Sequence, residues 1–138
     1  MRLSIVTDEL KTPLAEALSI LDGWKVRNIE LRGLDGGRIP DGDVENALSR
    51  VRAHGCTVTS LSPGVFKCAC DEQEIEKHIE RFQRTLELCD SFGCGQVIVF
   101  SIQGQESRLA APPALVVEAL RETGRIAARH GVRVAIEN

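Results

Sequence analysis

One pattern constrains this chain more than any other: a short β-prone run, a helical stretch with a single apolar stripe, a glycine turn, then another β-prone run. The β-prone runs are RLSIV (2–6), VRNIEL (26–31), CTVTSL (56–61), QVIVFSI (96–102) and VRVAIE (132–137). Thr12-Pro13 forms an N-cap and first turn for a helix whose stripe is Leu14, Ala17, Leu18 and Leu21. Asp41 or Asp43 can cap the second helix, with stripe Val44, Ala47, Leu48 and Val51. Asp71 and Glu74 have capping-box spacing ahead of Ile75, Ile79, Phe82 and Leu86. Pro112-Pro113 opens the fourth helix, which continues through Val117, Leu120, Gly124 and Ala127. The returns DGW, HGC, FGCG and HGV each place a glycine where a left-handed C-cap needs one.

Repetition of this unit predicts parallel βαβ crossovers and an α/β fold, with nearly continuous apolar strands covered by helices. An open sheet that holds a dinucleotide would want G-x-G-x-x-G after its first strand, but TDELKTP stands there. The RGLDGGRIPDGD segment is Gly-rich yet lacks the Lys-Ser/Thr of a P-loop, so it reads as a flexible turn. The expectation is therefore part of a (β/α)8 barrel. His54 and His130 fall in last helical turns, where a cation suits the helix dipole, and His78 reads as a solvated mid-helix residue.

A chain of 138 residues with 43% hydrophobic content supports one modest domain over 1–138. Its net charge of −3 argues against a surface that holds nucleic acid through bulk electrostatics. The N-terminus, MRLSIVTDELK, reads as neither a signal peptide nor a membrane span, so no membrane partner is expected. Five cysteines, an odd number beside an ample aliphatic core, fit free thiols in a reducing cytoplasm; Cys68 and Cys70 lack a second pair at zinc-finger spacing.

Ligands of parallel α/β sheets bind beyond the carboxyl ends of the strands. Those ends carry Thr7-Asp8-Glu9, Glu30-Leu31-Arg32, Ser62-Pro63-Gly64 with Lys67, Ser101 with Gln103, and Glu137-Asn138. Alternation puts Val132, Val134 and Ile136 against helices and aims Ala135 and Glu137 inward. The same parity sets Ile29 and Leu31 on the helix side and Asn28, Glu30 and Arg32 opposite. Two carboxylates on one rim fit either a cation or proton-transfer site, or an ordinary Glu30–Arg32 or Glu30–Lys67 ion pair with a solvated Glu137.

The strings SIVTDEL, NIELRGLDGGRIP, SLSPGVFK and VAIEN, in that order and at those strand ends, resemble the xylose-isomerase-like TIM-barrel superfamily of sugar phosphate isomerases and epimerases. The resemblance spans the whole chain and implies five parallel strands with four crossover helices, the N-terminal portion of a barrel whose usual length is about 250 residues. It also implies a divalent-metal enzyme of carbohydrate metabolism (Mn, Mg, Co or Zn) that acts on a small sugar or sugar phosphate through an enediolate. Glu137 matches the family's first metal ligand and is the candidate catalytic base. Glu30, Arg32 and Lys67 match its substrate side. The superfamily's later acidic and histidine ligands have no counterpart before Asn138, so this length of chain is expected to be inactive alone and to self-associate through open barrel edges. No histidine stands at a strand end, which disfavours the endonuclease IV-like phosphodiesterase branch. A non-catalytic α/β module that binds a ligand or partner is the competing expectation.

Overall fold

The computed structural model describes residues 3–102 and 113–137; Arg2, Gln103, Pro112 and Asn138, which figured above, lie outside the described residues. The elements are β1 (Ser4–Val6), a 3-10 turn (Thr7–Leu10), α1 (Leu14–Gly23), β2 (Asn28–Leu31), a small hairpin β3 (Gly33–Leu34) and β4 (Gly37–Arg38), and α2 (Val44–Ala53). They continue as β5 (Thr57–Leu61), α3 (Glu72–Phe92), β6 (Gln96–Phe100), α4 (Ala114–Arg129) and β7 (Arg133–Glu137). The main sheet runs β1-β2-β5-β6-β7, every neighbouring pair parallel. Each new strand joins the same advancing edge, which is barrel winding; a doubly wound sheet would reverse direction at a switch point. The fold is thus five parallel strands of a TIM barrel with the helices between them. No helix among the described residues is long and apolar enough to cross a membrane.

The core lies between the sheet and the helices. Leu18 and Leu21 of α1, Ile29 and Leu31 of β2, Leu61 of β5, Val97 and Val99 of β6 and Phe82 of α3 are all fully buried. Burying each such side chain stabilises the fold by about 1.5–3 kcal/mol, so this layer is the main favourable contribution. The stripe of α1 is buried as its spacing implies, and in α3 Ile75, Phe82 and Leu86 are buried while Ile79 is partly covered. In α4 the buried residues are Ala119, Thr123, Ile126 and Ala127, whereas Gly124 is exposed and Val117 and Leu120 are only partly covered. Leu115, Val116 and Val117 offer apolar groups on adjacent faces, and packing selects a face that spacing leaves ambiguous.

Four local expectations are corrected. At the first helix return, Gly23 does not take the left-handed conformation; Lys25 does, at φ 57°, while Gly55, Gly93 and Gly131 serve the other three returns. Pro13 occupies the N-cap of α1, and the Thr12 hydroxyl is buried without a hydrogen-bond partner among the described residues. The RGLDGGRIPDGD segment is a built hairpin, not a flexible turn, and its Ile39 is fully buried. Ile136, opposite Val99 in the β6–β7 ladder, is 52% exposed and so is not packed against a helix as its alternation implied.

Candidate functional site

The carboxyl ends of the strands gather the polar groups. Between β2 and β5 the register shifts after Ile29, with Thr59 of β5 the extra residue, so that Glu30 faces Ser60 of β5. Ser60 Oγ donates to Glu30 Oε2 at 2.7 Å, and next to it Ser4 Oγ and Thr59 Oγ1 share a 2.8 Å hydrogen bond. Burial pushes the Glu30 carboxyl above its ordinary value, against the opposing effects of Ser60 and Arg32; Glu137 and Asp8 push it further up. Glu137, at the end of β7 and opposite Phe100 of β6, is exposed and near enough for its charge to reach Glu30. The structure thus brings Glu30 and Glu137 to one rim, as the strand parity implies.

Arg32 is on the rim but pairs with Asp8 and Glu9 of the 3-10 turn, not with Glu30. Lys67 is exposed and stands over the Phe100 ring, 3.9 Å from its centroid, and pairs with no carboxylate among the described residues. Neither ion pair considered for Glu30 forms. Residues after β5 are fixed from below: Phe66 N–H donates to His78 Nδ1 at 3.0 Å, and burial holds the His78 imidazole below the usual histidine range. His78 is therefore a structural acceptor, not the solvated residue that its charged neighbours implied.

A further guanidinium escaped the sequence reading. Arg38, the last residue of β4, is partly buried; its Nε donates to the Ser62 carbonyl at 3.1 Å and its Nη2 to Ser62 Oγ at 3.5 Å. Burial holds its pKa below the usual arginine value, and the charges of Arg32 and Arg81 act the same way. A two-residue strand inside a Gly-rich segment has no periodicity to reveal it; the one signal was a lone Arg between Gly37 and Ile39.

The sequence matches the model of the xylose isomerase-like TIM barrel family over residues 23–138. This chain belongs to that family. No curated protein matches it. Among solved structures it is similar to the IolI protein with a bound zinc atom, at TM-score 0.75 and 19% identity, covering 99% of this chain and 51% of that one. A xylose isomerase-like TIM barrel protein from Mycobacterium smegmatis in complex with magnesium matches at TM-score 0.71 and 17% identity, over 98% of this chain and 54% of that one. The 3-keto-D-glucoside 4-epimerase YcjR from E. coli matches at TM-score 0.68 and 20% identity, over 88% of this chain and 49% of that one. The chain spans about half the length of each of these solved structures.

Two of those neighbours hold a divalent metal. Among the described residues here, no three His, Cys, Asp or Glu side chains stand together as a metal would require. Glu30 is held by Ser60, Asp8 and Glu9 by Arg32, and Glu137 is a single carboxylate. The donor set seen in this chain does not by itself fit a divalent cation.

Proposed function

We propose that this chain supplies the substrate-facing half of a site for isomerising or epimerising a small sugar or sugar phosphate. One observation supports the reading: Glu30 and Arg32 at the end of β2 and Glu137 at the end of β7 stand at the carboxyl ends of one parallel sheet, with the Glu30 carboxyl raised by burial. Epimerisation or isomerisation beside a carbonyl needs a carboxylate to take a carbon-bound proton and return it, and positioned general bases contribute roughly 10²–10⁴-fold. Glu137, exposed at the strand end, is the proposed base. Glu30 and Arg32 flank it as groups that orient sugar hydroxyls, and Lys67 borders the same mouth. Glu137 would also be one donor to a divalent cation whose remaining donors come from outside the described residues.

The experiment is hydrogen exchange at the α-carbon of ketoses and keto-sugars in D2O, followed by proton NMR with Mg2+, Mn2+, Co2+ or Zn2+. The chain alone should match the buffer rate. Fused to the strand segments of a family barrel that carry further acidic and histidine donors, it should exchange, and Glu137→Gln should remove at least 99% of that rate. A folded fusion that exchanges no sugar in the panel, or whose activity survives Glu137→Gln, overturns the proposal.

A further inference from the structure

We infer that Arg38 is an oxyanion-binding residue at the rim, placed to hold a carboxylate or phosphate carried by the sugar, so that the site prefers charged substrates over neutral ones. This rests on the sugar-site reading above and deepens it.

Three features of the geometry converge. First, Arg38 contrasts with its neighbour: Arg32 is paired with Asp8 and Glu9, while Arg38 forms no ion pair with any carboxylate among the described residues. A guanidinium carries five N–H donors in a planar fork. Among the described residues Arg38 uses Nε and one Nη2 donor, both on Ser62, which leaves Nη1 and the other Nη2 donor as a pair able to grip an oxyanion bidentately. Second, the group is held in place from both sides. Ser62 follows β5 directly, and Gly64 has φ +77°, so that a Cβ there would stand 3.0 Å from Arg38 Nε and 3.1 Å from Cζ. The guanidinium lies against the Gly64 backbone, where a side chain would crowd it. Third, burial and the charges of Arg32 and Arg81 act against the Arg38 cation; Asp8 and Glu137 act in its favour but form no ion pair with it, while Arg32 and Arg81 have carboxylate partners of their own. An oxyanion there would supply the carboxylate-type partner that Arg38 lacks among the described residues.

The test uses the 138-residue chain with 15N-labelled arginine side chains. The Nε–H resonances are titrated in turn with D-ribulose 5-phosphate, D-glucuronate, inorganic phosphate and the neutral sugar D-ribulose. The charged sugars should shift the Arg38 Nε–H, and Arg38→Gln should weaken their binding at least tenfold, with Arg38→Lys in between and D-ribulose unaffected. Equal affinity for charged sugars in wild type and a folded Arg38→Gln overturns the inference. If Arg38→Gln does not fold, the wild-type spectrum decides: charged sugars that shift other resonances but leave Arg38 unmoved overturn it equally. Inorganic phosphate binding as tightly as the sugar phosphate would overturn the sugar-borne assignment. Failure of the parent reading looks different: Arg38 then responds to charged sugars while no fused barrel exchanges hydrogen on any of them.

Discussion

Glu30 shows how a single residue records its surroundings. Alternation along β2 was enough to place it opposite Ile29 and Leu31, and it stands there. Its hydrogen bond from Ser60 was not legible, because the register depends on a bulge that leaves Thr59 unpaired in β5. Burial raises its folded pKa above the unfolded value, so folding disfavours the charged carboxylate relative to the neutral form. Its contribution to stability is therefore full below the ordinary glutamate pKa and is lost as pH rises through the higher folded value. Glu30→Gln should accordingly raise the melting temperature at pH 7.5 and have a smaller effect at pH 4. Thermal melts of both proteins across that range check this, and a pH-independent difference would contradict the burial argument. Arg38 marks the other limit of residue-level reading: its position depends on a hairpin, a glycine at φ +77° and a strand end far along the chain.

At the scale of elements, the caps were readable and the anchoring contacts were not. Asp43 and Asp71 accept from the N–H groups of Asn46 and Glu74, each three residues on, at 3.1 Å. Asp41, the other candidate cap, instead receives Arg81 and Arg84 of α3. Asp43→Ala and Asp71→Ala should each cost about 1 kcal/mol and add nearly independently, as urea denaturation of the singles and the double would show. Arg81 reaches further: its Nε donates to Pro63 O at 2.9 Å and its Nη2 to Ile39 O at 2.9 Å, tying α3 to both the hairpin and the segment after β5. Such pairings join residues about twenty to forty positions apart, so local spacing carries no trace of them. His78 completes the same anchor, with Glu74 and Arg81 the charges that face it. Its folded pKa lies below the unfolded value of about 6.5, so its stabilisation is complete above that pH and is lost as pH falls through it toward the folded value. Stability should therefore drop between pH 7.5 and 5.5 more steeply in wild type than in His78→Gln. Parallel slopes would show that the imidazole is not an obligatory acceptor.

At the scale of the whole molecule, the order of the five strands was legible because the strand–helix unit repeats along the chain, each strand followed by one helix before the next strand of the sheet. What such order leaves open is the behaviour of the two outer strands. Among the described residues, β1 pairs only with β2 and β7 only with β6, so each presents an unpaired ladder. Charges blunt part of that hazard: Arg133 and Glu137 lie on one face of β7, with Asn28 bonded back to the Leu3 carbonyl beside β1. The other face of β7 has no such protection, since Ile136 is 52% exposed, and Leu3 next to β1 is 66% exposed. An apolar group on an open edge gains from pairing with another copy, whereas a lysine there would have to be desolvated as the edges meet. Light scattering behind size exclusion at about 100 µM should therefore report species heavier than the 15.1 kDa monomer, and Ile136→Lys should move the population toward monomer. A wild-type chain that elutes as a monodisperse monomer would mean that β7 is covered by some arrangement other than a second edge, and that the apolar face of its final turn is not what drives association.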